Sequence, residues 1–182
     1  SASGWQTATF STPVAINANT TYVASYFCPL GQYSLQSGYF NSVTGTGTYN
    51  LNPPLSAPAD GLYGANGIYA YSGSVSFPNQ SAGSTNYWVD VQFESSATGG
   101  SEPPPPPPPT SGNSTWIWPA MITPAAAVGD DGQSLNLGLR FRSSENGFIK
   151  SIRFWKRAGN NGTHIGTLWS NTGTKLAEVT FS

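Results

Sequence analysis

Few side chains in this sequence of 182 residues can move a proton, attack a substrate or hold a metal: one histidine, one cysteine and eight carboxylates. No Ser-His-Asp, Cys-His or metal-binding His cluster can be assembled around His164 from the sequence. In its Gly-Thr-His-Ile-Gly setting the ring is expected to hydrogen bond a turn backbone. Cys28, as the sole cysteine, excludes an internal disulfide and, with a single His, a Cys/His zinc site. It is expected to be a small buried apolar residue on a strand, with an interchain disulfide as the alternative. Asp130 and Asp131, followed by Gly132 and helped by Glu145 or Asn146, offer oxygen ligands to Ca²⁺, but their spacing matches no calcium loop, and a solvated turn is expected. Glycoside hydrolysis needs two carboxylates across a cleft, and these scattered acids supply no such pair. Asp90, on a strand beside Trp88, is expected to be a sheet-surface residue with a hydrogen-bonded partner. Neither catalysis nor a cofactor is predicted.

Aromatic side chains are the other chemically able group. Six Trp and nine Tyr provide flat apolar faces on which sugar C–H groups pack. Trp5, Trp88, Trp155 and Trp169 lie in strand-like runs and are expected in the core, with sugar stacking as the alternative. Trp116 and Trp118 follow a proline run and would either stack sugars or wedge the linker against a neighbouring body.

That run is Pro103, Pro104, Pro105, Pro106, Pro107, Pro108 and Pro109, inside a linker placed at residues 95–115. Proline has no amide hydrogen and a fixed φ, so the run joins neither helix nor sheet and is expected to stand as a polyproline rod. At roughly 3.1 Å per residue it would reach on the order of 22 Å, a spacer between residues 1–94 and 116–182. Residues 1–94 hold three acids and no base, whereas 116–182 hold all seven bases against four acids, so the segments carry about −3 and +3. Opposite charges favour association of unlike segments, modestly and less at high salt. The whole chain, 8% charged with formal net charge −1, offers no electrostatic basis for binding nucleic acid or an anionic membrane. No apolar run approaches the roughly 18 residues of a membrane span, and the opening Ser-Ala-Ser-Gly is no signal peptide, so the sequence reads as processed or excerpted. Sequons stand at Asn19, Asn79, Asn113 and Asn161.

The elements that must position these residues are strands. Trp5–Phe10 reads as a strand running into a turn at Thr12-Pro13, and Val14–Ile16 and Thr21–Phe27 continue in β-branched and aromatic residues. Thr44–Gly67 is so rich in Gly, Pro and Asn that a long surface loop with a short strand at most is expected. Ile68–Tyr71 and Asn86–Phe93 follow, the latter with Tyr87, Val89, Val91 and Phe93 opposite Trp88, Asp90 and Gln92. Beyond the rod, Leu135–Phe141 buries its leucines and keeps Asn136, Arg140 and Arg142 wet. Phe148–Arg157 turns Ile152 and Phe154 inward and Lys150, Arg153, Lys156 and Arg157 outward; Ile165–Trp169 and Leu176–Phe181 close the chain. About five strands precede the rod and four follow it, with no helix. Each set needs a second sheet as cover, which predicts an all-β sandwich, jelly-roll or Ig-like, completed from two half-domains.

The run Gly147–Lys156, the run Gly159–Trp169 and the pair Leu176-Ala177 resemble the first half of a bacterial extracellular domain of unknown function, number 4082. Gly4-Trp5-Gln6, Thr9-Phe10, Pro13-Val14, Thr21–Tyr26, Phe77-Pro78 and Asn86–Val91 resemble its second half. The order is swapped relative to that domain, in which the Leu-Trp half comes first. The resemblance implies a β-sandwich module of secreted or surface-attached proteins and supplies no catalytic residues. The swap leaves three forms open: a circular permutant closed on itself, a subunit completed by its neighbour, or one period of a tandem-repeat chain. A stiff rod favours successive bodies held apart. The expectation is therefore a structural unit of an extracellular filament, stalk or adhesin, completed head-to-tail by identical subunits or adjacent repeats. The alternative is a permuted, monomeric carbohydrate-binding module with polysaccharide as its partner.

Overall fold

The computed structural model describes residues 3–41, 48–95, 114–119, 122 and 127–182; the proline run and Asn113 lie outside them. Before the linker stand β1 (Gly4–Ile16), β2 (Thr21–Cys28), β3 (Gln32–Leu35), β4 (Thr48–Asn52), β5 (Leu55–Pro58), β6 (Ile68–Tyr71), β7 (Gln80–Ser81) and β8 (Val89–Ser95). After it stand β9 (Ser114–Trp116), β10 (Ala127–Asp130), β11 (Leu135–Ser143), β12 (Gly147–Lys156), β13 (Ile165–Ser170) and β14 (Lys175–Thr180). Among the described residues there is no helix. The fold is all-β, and its two large sheets pack as a sandwich.

Interleaving organises those sheets. One runs β1-β12-β8-β9, the other β14-β13-β2-β11-β5-β4, with β6 and β7 continuing from β11 and a separate pair of β10 and β3. Strand β12 lies between two strands of the first segment, and β2 lies between two of the second. Neither segment therefore has a continuous large sheet of its own. Alternation then fills the space between the sheets: Val91, Phe93, Ile152 and Phe154 from one, Ala24, Tyr26, Leu137, Leu139 and Leu168 from the other. The Tyr26 and Phe154 rings stack at 4.1 Å.

Several strands depart from the sequence expectation, each for a physical reason. The stretch at Thr12-Pro13 is a bulge within one long strand rather than a turn: the β1–β12 ladder breaks after Thr9 and resumes at Val14. A proline that cannot donate is accommodated there. The long loop contains two strands, β4 and β5, which extend the second sheet; residues 42–47 of it are not described. Trp88 precedes β8 with φ 56° instead of alternating within it. Asn136, expected wet, is fully buried, since residues 72–78 cross the back of the second sheet. Its Nδ2 donates to Ser74 O and Ser76 Oγ, both at 3.0 Å, and its Oδ1 accepts from Ser76 N. Beneath that crossing Val23, Ile68 and Trp169 form a second small core with Phe77.

Candidate functional site

The linker leaves and re-enters beside a buried ion pair. Asp90 on β8 stands directly opposite Arg153 on β12, each on the alternate face to its apolar neighbours. Arg153 donates to Asp90 Oδ2 from Nε at 2.9 Å and from Nη2 at 2.6 Å, and Nη2 also reaches Trp118 O at 2.6 Å. The backbone N–H groups of Val91 and Ile117 donate to Asp90 Oδ1, both at 2.8 Å, and that of Trp118 to Oδ2 at 3.3 Å. The Trp118 indole N–H closes on Val89 O at 2.8 Å. A single carboxylate thus fastens the first residues after the linker to the last strand before it.

Arg153 is also sandwiched. Its guanidinium carbon lies 4.2 Å from the Trp5 ring centroid and 4.1 Å from that of Trp116, a double cation–π arrangement joining β1, β9 and β12. The expectation that Arg153 and Lys156 face solvent is therefore corrected: both are buried, Arg153 because the Trp116 and Trp5 rings cover it, and Lys156 because alternation places it on the other face of β12, the one that carries Ile152 and Phe154 into the core. Asp90 is likewise a wholly enclosed residue and not a sheet-surface one. Burial pushes its carboxyl up to about 7, against the pull of the Arg153 guanidinium and of the Ile117 and Val91 N–H groups. A carboxyl displaced toward neutrality is a common mark of catalysis. Here its side chain has no exposed surface and both oxygens are filled by protein donors, so its chemistry is spent on holding the chain.

The structure brings together two residues that sequence spacing kept apart. Cys28 Sγ and His164 Nε2 both bond Asn160 Oδ1, at 3.4 and 2.7 Å. This Cys-Asn-His group joins the two residues through the Asn160 oxygen. Its electrostatics run opposite to an activated thiol: burial raises Cys28 to about 11 and lowers His164 to about 4, helped for His164 by the nearby Lys156 charge. Both groups are held neutral, whereas a reactive thiol needs its anion. The His164 ring packs 4.9 Å from Phe154, so the group pins the Asn160 turn to the core.

At the sheet end, Asp131 Oδ2 accepts from Tyr33 and Tyr71 hydroxyls at 3.0 and 2.9 Å, and Asp130 accepts from Gln32 Nε2 and Gly132 N. Donors occupy these oxygens, and among the described residues no three His, Cys, Asp or Glu side chains gather as a metal site. Of the tryptophans weighed for sugar stacking, Trp88, Trp118 and Trp169 are buried, and Trp169 donates to Ser25 Oγ at 2.8 Å. Trp5 and Trp155 are half-buried and meet edge to face at 5.5 Å. Trp88, Trp118 and Trp169 are thus committed to the body of the sandwich, whereas Trp5 and Trp155 keep part of their surface exposed. Asn19, Asn79 and Asn161 are exposed.

A family model described as a domain of unknown function (DUF4082) matches residues 1–89 and 121–182, one block on either side of the junction just described. No curated protein and no solved structure matches the chain.

Proposed function

The chain belongs to the DUF4082 family of domains of unknown function, and from that premise we propose that it is a non-catalytic structural module of a bacterial cell surface, an extracellular filament, stalk or adhesin. In this proposal 116–182 is the leading half of the domain and 1–94 the trailing half, and successive copies are joined by exchanging halves. The interleaved strands carry the proposal. Because β12 needs β1 and β8, and β2 needs β11 and β13, each segment must find the other, and the ladders are the same whether the partner lies in one chain or the next. The end of the last strand lies beside the start of the first: Phe181 packs 4.9 Å from Phe154, which pairs with Gln6.

The junction adds support. Glu94 and Ser114 are ladder partners, so residues 96–113 leave and return at one rung when a chain closes on itself. A polyproline run suits two separated bodies better than a path back to its own origin. Sedimentation of the purified chain from micromolar to millimolar concentration is the test. Growth to dimers and longer series is expected, together with a compact monomer when residues 96–113 are replaced by a short turn. A chain that stays monomeric at every concentration, or a short-turn variant that assembles as well as the parent, overturns the exchange.

A further inference from the structure

A second, unassigned feature lies away from that junction. Tyr63 and Arg142 share a surface cavity of about 250 Å³ with Pro54, Ser56, Ser143 and Ser144. The Tyr63 ring is 44% exposed while most aromatic rings of this chain are packed away, and the Arg142 guanidinium sits 4.0 Å from its centroid. That cation is fixed in place: Nη1 donates to Thr21 Oγ1 at 2.9 Å and Nη2 to Asn19 O. Both nitrogens carry a second hydrogen.

The loop that presents Tyr63 is held from below. Asp60 accepts from Asn66 N at 2.8 Å and Ser84 Oγ at 2.9 Å; Asn66 donates to Pro58 O and Arg140 O and accepts from the backbone N–H groups of Gly67 and Arg140. The Arg140 Nε–H reaches Ala65 O at 2.8 Å. A hydrophobic ring exposed on so firmly anchored a loop loses little entropy when a ligand covers it. The far wall is set by Ser144 N on Pro54 O at 3.0 Å.

The lining contains a flat aromatic face, serine hydroxyls, one cation and no carboxylate. We propose that this cavity binds an acidic saccharide, one pyranose ring of which lies against the part of Tyr63 that the stacked Arg142 guanidinium leaves exposed, while its carboxylate meets that guanidinium past the ring edge. The chemistry selects the class. An aromatic face takes the C–H side of a sugar ring, hydroxyls serve its O–H groups, and a guanidinium prefers a carboxylate. A metal cation is disfavoured by the lone positive charge. The volume falls below the roughly 300–1,000 Å³ that enclose a drug-sized ligand, which fits one unit of a longer chain lying across the surface.

The test is titration calorimetry of the full chain with a glucuronate-containing oligosaccharide, its neutral glucose counterpart and inorganic phosphate. Saturable binding of the uronate ligand is expected, with the neutral one ten- to hundredfold weaker, as about the loss of one charge-assisted hydrogen bond. Arg142→Gln should bring uronate binding down to the neutral level, and Tyr63→Ala should weaken both sugars roughly three- to tenfold. Should Arg142→Gln fail to fold, Tyr63→Ala alone carries the test, because its ring supports no hydrogen bond of the fold described above. Absence of saturable binding, equal affinity for neutral and acidic sugar, displacement by phosphate alone, or indifference to Tyr63→Ala would each overturn the assignment.

Discussion

Removing the charge of Asp90 tests the junction most directly. In Asp90→Asn the side chain keeps its size and one carbonyl oxygen that can still accept from Val91 and Ile117. Arg153, however, remains buried with its two donors aimed at a neutral amide, and since Nε and Nη2 share one oxygen in the parent, both face the N–H₂ group when the carbonyl serves Val91 and Ile117. Breaking a buried pair by taking one partner costs about 3–5 kcal/mol, much of it the unmatched charge that is left. The two ring faces on Arg153 soften this, since a cation between aromatics keeps about 1–2 kcal/mol of its stabilisation. A net loss of about 3 kcal/mol is expected, which at a urea slope of about 2 kcal/mol/M moves the midpoint down by about 1.5 M. Tryptophan fluorescence during urea unfolding reads it, because Trp5, Trp116 and Trp118 surround the pair. The double change Asp90→Asn with Arg153→Met, which removes both charges but keeps a carbonyl oxygen for the Val91 and Ile117 N–H groups, should recover at least half of the loss. A midpoint within a few tenths of a molar of the parent for Asp90→Asn, or a double variant no better than the single one, would show that the pair is not what fastens the junction.

Three further outcomes follow from other parts of the fold. His164 has its folded value lowered from 6.5 to about 4, so its neutral form is the one the fold holds: its contribution is whole above about pH 6.5 and is lost as pH falls toward 4, to a total of about 3 kcal/mol. Asp90, raised to about 7, has the opposite slope in part of that window, so the quantity to measure is the stability of the parent minus that of His164→Gln, which should shrink by about that amount on acidification; a flat difference refutes the buried neutral imidazole. Segments 1–95 and 114–182 produced separately should each give the circular dichroism of an unfolded or loosely collapsed chain and regain the sandwich on mixing; a native-like spectrum for either one alone would contradict the interleaving. Gly67→Ala should lower the urea midpoint by more than 1 M, as φ is +73° there and a Cβ would sit 1.8 Å from Thr85 O; an unchanged midpoint would mean that the loop base is not fixed as described.

Period-two alternation made much of the sandwich legible. Leu135, Leu137, Leu139 and Phe141, and Val89, Val91 and Phe93, all point into the core, as a half-buried strand requires. What alternation does not encode is whether the other face stays wet. Asn136 and Arg153 are polar and out of phase with the leucines or with Ile152 and Phe154, a pattern that points them to solvent, yet each is covered by a segment distant in sequence. The partner of Asp90 lies across the linker, and no local pattern announces it; the one hint is opposite charges set within apolar runs, Val89-Asp90-Val91 and Ile152-Arg153-Phe154. The Cys28–Asn160–His164 contact hid behind a Gly-Asn-Asn-Gly turn that reads as solvent-facing, although Asn160 within it is fully buried. Continuity of β1 through Pro13 was illegible for a simpler reason: proline marks turns and bulges alike.

The adjacency of Glu94 and Ser114 has a consequence for how this protein could be altered. Antiparallel ladder partners stand about 5 Å apart whatever connects them, and the entropy of closing a connection rises only slowly with its length. Whole folded inserts whose own termini are close together should be graftable between these two residues while the host keeps its shape, which makes the rung a natural socket for displaying cargo.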